Sequence, residues 1–141
     1  MFARLIAAGA LALGLLATDA TALADSADAR LYKGGTAQGY RIKIAVKNDK
    51  FRILRFEADL RCRDGSALTL IESGFLWTPV RRNGSFRDAQ FGRTDSVYFR
   101  GTLSERRLSG RVRLTDELRR GKRGGKLKCK SRWIGFNARP R

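Results

Sequence analysis

Glu57 and Asp59 are the first side chains in this sequence whose spacing suggests acid–base chemistry. A glycosidase sets two carboxyl groups about 5–9.5 Å apart on either side of the bond it breaks. At positions i and i+2 of a strand, these two instead point to one face. Arg55 and Arg61 flank them in the same row, which reads as a solvated ladder of alternating charge. Asp116-Glu117 beside Arg119-Arg120 reads the same way. The chain has no histidine, so the commonest general base is missing. It has neither a G-x-S-x-G elbow nor a phosphate-cradling P-loop. The expectation is a protein without catalytic residues, cofactor or metal; an enzyme of unrecognised type is the lesser alternative.

The cysteines depend on compartment. Residues 1–24 have the parts of an export signal: Arg4, an uncharged apolar stretch from Leu5 to Leu16, and Ala22-Leu23-Ala24 before Asp25. Twelve apolar residues are short of the roughly 20 a spanning helix needs, and no apolar run of that length follows. The expectation is an exported chain, periplasmic or secreted. Cleavage removes one base, Arg4, and one acid, Asp19, so the net charge stays at +17. In an oxidising compartment Cys62 and Cys129 have only each other to pair with. Such a bridge closes a loop of roughly 70 residues and is worth about 4 kcal/mol in the chain-entropy model. The alternatives are two buried thiols, or a redox or metal site. Without histidine or a CxxC motif, a metal finds few ligands.

The cations are the third chemical group. Arginine and lysine total 30 against 13 acids. Arg111 and Arg113, then Lys128, Lys130 and Arg132, fall at alternate positions of two segments. Between them lies the basic loop Arg119, Arg120, Lys122, Arg123 and Lys126. If the two segments pair as a hairpin, these cations crowd one surface beside the loop. Like charges directly opposite one another are unfavourable. A polyanion laid across them relieves the repulsion and releases counterions, and arginine binds phosphate or sulfate through two nitrogens at once. The competing explanation is a surface that is merely soluble, in a chain of arginine-rich composition.

The elements that must position these groups read as strands. Apolar and polar residues alternate along Tyr40–Lys47, Leu54–Arg63, Val97–Leu103, Leu108–Leu114 and Leu127–Trp133, the signature of strands with one buried face. Phe51 and Ile53 are out of phase with Leu54 and Phe56, so a bulge near Ile53-Leu54 is expected to restore the core face. Asn48-Asp49, Asp64-Gly65 and Asn83-Gly84 suit hairpin turns. Thr115 to Arg120 has room for one helical turn at most. The expected fold is all-β: an antiparallel sandwich or small barrel of about eight short strands over residues 31–138. Residues 25–30 are expected to form a loose N-terminal lead. Cys62 and Cys129 lie on apolar sides, which places the bridge in the core or at its edge near Trp133.

Several signposts occur together: Tyr32-Lys-Gly34-Gly-Thr36-Ala-Gln38-Gly39, Cys62-Arg-Asp-Gly65-Ser66, Asn83-Gly84-Ser85-Phe86, Gly101-Thr-Leu103, Leu108-Ser109-Gly110, and Cys129 with Trp133. The chain resembles a group of small secreted bacterial β-domains with a Y-x-G-x-T-x-Q-G start, one cysteine in each half and a closing tryptophan. The resemblance covers about residues 32–138. It implies a β-domain with Cys62 and Cys129 as its bridge, and it implies no activity.

The leading expectation is an exported, non-catalytic β-domain that binds an anionic polymer or envelope surface. Candidates are lipopolysaccharide, phospholipid head groups, acidic polysaccharide and extracellular DNA. The alternative is a protein–protein module, either an accessory subunit or an inhibitor with Val80-Arg81-Arg82-Asn83 as bait. Trp77 is expected to cover an open end of the core, and Tyr98 to face outward.

Overall fold

The computed structural model describes residues 28–119 and 124–141. The export-signal reading of 1–24, together with Arg120, Lys122 and Arg123, lies outside the described residues. Ten antiparallel strands form a single sheet system, with no helix among the described residues. They are β1 (Arg30–Thr36), β2 (Arg41–Lys47), β3 (Lys50–Cys62), β4 (Ala67–Glu72), β5 (Thr78–Pro79), β6 (Ser85–Phe91), β7 (Asp95–Ser104), β8 (Arg107–Arg119), β9 (Lys126–Lys130) and β10 (Ile134–Pro140).

The hydrogen-bonded path runs β10-β1-β2-β3-β9-β8, and β10 also pairs with β8. The circuit therefore closes on itself through six strands, a barrel-like arrangement with few open edges. Two long strands, β3 and β8, also carry strands beyond the ring. β4 and β5 pair with β3, and β7 pairs with β8 and carries β6 outward.

Period-2 alternation fills the interior. Along β8, Leu108, Val112 and Leu114 are buried while Arg111 is exposed. On β10, Ile134, Phe136 and Ala138 point in. Phe51, at the start of β3, meets Phe86 of β6 at 4.5 Å and Phe99 of β7 at 6.4 Å between ring centroids. The outer strands thus fold over the same core. Gly101 and Gly110 oppose each other on β7 and β8. A Cβ on Gly101 would lie 2.6 Å from Phe86 Cζ, and one on Gly110 would lie 3.1 Å from Phe136 Cζ. The rings fill the space the two missing side chains leave.

The bulge falls where the phase change requires it. Lys43 pairs with Arg55 and Ile44 with Ile53, which leaves Leu54 as the extra residue. Phe51, Ile53 and Phe56 are all buried as a result. Asn48 and Asp49 have φ of 49° and 55°, the left-handed pair that turns β2 back into β3.

Several expectations need correction. Thr115–Arg119 is not a helical turn but the far end of β8, held by pairing with β9. β9 ends at Lys130, so Trp133 lies in a link, and β10 is a strand the alternation did not reveal. Ala45, which the Tyr40–Lys47 alternation puts on the polar, outward side, is instead fully buried between Leu31 and Arg52 of the neighbouring strands.

Cys62 and Cys129 form a disulfide directly across β3 and β9, and both are buried. The bridge lies in the core, whereas the Trp133 ring is on the outside against two arginines. Short β9 leaves two gaps, and each is closed by a side chain. Gln38 donates to the Asp59 carbonyl at 3.2 Å and accepts from its N–H at 2.9 Å, acting as a strand residue beside β3. On β8, the Ser131 N–H donates to the Leu114 carbonyl at 2.9 Å, and its Oγ accepts the Leu114 N–H at 2.9 Å. The Ser131 bond is buried and lies between the stretches of β8 that pair with β10 and with β9. Ser131→Ala leaves the Leu114 N–H without a partner. It is expected to lower unfolding free energy by about 1–3 kcal/mol in a denaturant titration; an unchanged midpoint would refute this role.

Candidate anion-binding face

Register determines which outward cations become neighbours. Arg87 of β6, Arg100 of β7 and Arg111 of β8 stand directly opposite one another, and all three are exposed. On the next strand of that row is Gly135 of β10. A second row crosses the other side of the ring. Arg139 of β10, Lys33 of β1, Lys43 of β2 and Arg55 of β3 are consecutive cross-strand partners, again all exposed. Strands lie about 4.7–4.9 Å apart, so each row holds positive charge at close, regular intervals. Among the described residues no carboxylate makes a salt bridge to any member of either row.

Aromatic rings hold part of the first row in place. The Arg100 guanidinium carbon lies 4.5 Å from the centre of the Trp133 ring, and that of Arg113 lies 5.0 Å from it. Arg113 is also 5.2 Å from the Tyr98 ring, which meets Phe91 edge-on at 5.8 Å. Each cation–π contact of this kind contributes about 0.5–1 kcal/mol at an exposed site. The rings orient the guanidinium groups without neutralising them.

The expected hairpin of cationic strands exists, with a different register. β9 pairs with Thr115–Arg119, because β10 already occupies β8 from Leu108 to Val112. Lys128 therefore stands opposite Glu117, and Lys130 lies between Thr115 and Arg61. Arg119 opposes Lys126, whose ammonium sits 2.6 Å from the Glu117 carboxylate. That hydrogen bond to Lys126 holds the Glu117 carboxyl below the ordinary glutamate range. Arg111, Arg113, Lys128 and Lys130 share the outward side of β8–β9 but do not oppose one another, and Arg132 is exposed in the link to β10. Sequence reasoning missed Arg87, Arg100, Lys33 and Arg139. Each has outward parity, but only pairing shows that they fall in rows.

Beside Arg100 and Arg111 the outer surface dips into a shallow depression of about 750 Å³. Gly35 and Gly135 are among its lining residues, and Thr102, Ser109 and Asn137 contribute hydroxyl and amide groups. At the other end, Arg81 and Arg82 border a second hollow of about 740 Å³. They sit in a tight turn closed by the Gly84 N–H donating to the Arg81 carbonyl at 2.8 Å.

Of the carboxylates read as solvated charge ladders, Asp116 is instead buried, and Asp59 is engaged in structure. Asp59 accepts from the Thr69 hydroxyl at 2.7 Å and from the Tyr40 hydroxyl at 2.7 Å. These two bonds, Thr69 first, hold its carboxyl below the ordinary range. Asp59 in turn pushes the Tyr40 phenol up. Trp77 is half-buried just ahead of β5, and Tyr98 is half-buried beneath Arg113.

No known protein family, no curated protein and no solved structure matches the chain. The likeness to small secreted β-domains rests on the residues quoted for it.

Glu72 supplies a pH-dependent test of the electrostatics. Burial raises its carboxyl above the ordinary value, and the neighbouring Asp95 and Asp116 charges add to the shift. The protonated form therefore favours folding. Its contribution is present below about pH 4.3, the ordinary value for glutamate, and is lost as pH rises through the raised value. Glu72→Gln is expected to raise the thermal midpoint at pH 7 and to make no difference near pH 4. Equal effects at both pH values would contradict this.

Proposed function

We propose that this protein is an exported, non-catalytic β-domain that binds anionic polymers or surfaces through its outward cation rows. One observation carries the reading: two runs of directly opposed cations with no carboxylate partners among the described residues. Each such contact is unfavourable in the isolated protein. A polyanion reverses the sign of every one at once and gains counterion release. A surface required only to be soluble would intersperse acids, as Glu117 does between Lys126 and Lys128. The buried Cys62–Cys129 bridge suits the oxidising compartment that export implies.

The test compares single charge losses that differ only in position. Lys43→Gln removes the centre of one row and Arg111→Gln the end of the other. Arg106→Gln removes the same charge from the exposed turn between β7 and β8. On immobilised heparin, the two row variants are expected to elute at clearly lower salt than the turn variant. Lys43→Gln also relieves repulsion from Lys33 and Arg55, so its stability should rise by a few tenths of a kcal/mol. Equal elution shifts for all three would mean that net charge alone drives retention, and the reading would fall.

A further inference from the structure

We propose that the depression beside Arg111 seats one acidic sugar unit of a linear anionic polysaccharide, with Arg111, Arg100 and Arg87 holding the units that follow. The inference rests on the polyanion reading and specifies its ligand. The cation row does not stop at a wall. Beyond Arg111 its next cross-strand position is Gly135, where no side chain projects. A Cβ built on Gly135 meets only the Ala37 Cβ, at 3.9 Å, and one on Gly35 meets only the Tyr40 carbonyl oxygen, at 3.6 Å. The row thus runs from three guanidinium groups straight onto an open floor.

The chemistry around that floor is that of a sugar site. Thr102 and Ser109, directly opposed on β7 and β8, offer hydroxyls that both donate and accept, as sugar hydroxyls require. The Asn137 Oδ1 accepts from the Arg107 Nε at 3.0 Å, which leaves the amide hydrogens to donate. Arg111 and Arg100 stand at the rim, and a guanidinium fork takes a carboxylate through two nitrogens. The strand spacing of about 4.8 Å is close to the length of one sugar unit in an extended chain. A uronate polymer running across the strands therefore sets its successive units over successive arginines, with the carboxylates that turn toward the sheet meeting the guanidinium groups.

Two other polyanions fit less well. Single-stranded nucleic acid needs open aromatic faces on which bases stack. Here Trp133 and Tyr98 already carry guanidinium groups. A lipid surface is gripped by exposed apolar side chains beside cations. The exposed large apolar residues Ile71, Leu76, Phe91 and Leu118 do not line this depression.

Gly135→Val separates site from charge. Position 135 lies in a strand, where valine is favoured, and the new side chain projects into the depression without altering any charge. Binding of an oligogalacturonate, an oligothymidylate and phosphatidylglycerol vesicles is measured by calorimetry. Elution from a sulfonate exchanger reports charge alone. The wild-type protein is expected to bind oligogalacturonate best. Gly135→Val should weaken that binding about tenfold, equivalent to 1.4 kcal/mol, with exchanger elution unchanged and the thermal midpoint no lower. Ser109→Ala, a smaller change, should weaken it several-fold. Oligogalacturonate binding unaffected by both variants would overturn the proposal, as would equal or tighter binding of oligothymidylate or vesicles by the wild type. Loss of all three interactions in the wild type would instead remove the polyanion reading beneath it.

Discussion

The narrowest join in the six-strand ring is that between β3 and β9. Those strands share two residue pairs, Arg61 with Lys130 and Cys62 with Cys129. Two pairs of a ladder hold little by themselves, yet the six-strand circuit closes only through them. The disulfide makes the join covalent. Cross-linking a loop of this length is worth about 4 kcal/mol in the chain-entropy model, against a total of about 5–15 kcal/mol for a typical domain. Gln38 and Ser131 complete the closure by supplying side-chain atoms where short β9 cannot supply backbone. The buried bridge is compatible with an oxidising, exported location.

Closure has an electrostatic consequence. In a ring of strands every outward residue has fixed neighbours on both sides, so side chains of like charge cannot drift apart by fraying an edge. Arg139, Lys33, Lys43 and Arg55 are held in line by four strands of the ring, and Arg111 is held between Arg100 and Gly135. The β8–β9 hairpin shows what the same fold does when charge is to be balanced: Glu117 sits among Lys126 and Lys128. Trp133 and Tyr98 reinforce the contrast. They fix the guanidinium groups of Arg100 and Arg113 by their ring faces and leave the positive charge intact.

Much of the frame is legible in the sequence because burial has a period of two. The buried sides of β7 and β8, the left-handed turn at Asn48-Asp49 and the bulge at Leu54 all follow from side-chain chemistry a few residues long. What is not legible depends on partners distant in sequence. Thr115–Arg119 has no strong strand preference of its own and becomes extended because β9 pairs with it. β10 hides behind Trp133 and two glycine- and asparagine-bearing positions, Gly135 and Asn137, whose outward places need no apolar residue. The cation rows are the clearest case. Every member shows outward parity in the sequence, but adjacency is a property of register, and register comes from turn geometry and core fit across the whole ring.

The central claim is that the cations of a row act together on one anionic chain. Side-chain NMR of the arginine Nε–Hε groups tests it most directly, during titration with an acidic oligosaccharide. The account predicts that the Arg87, Arg100 and Arg111 signals shift together, with one midpoint, while that of Arg106 in the β7–β8 turn stays in place. Shifts of similar size at every arginine, including Arg106, would contradict it.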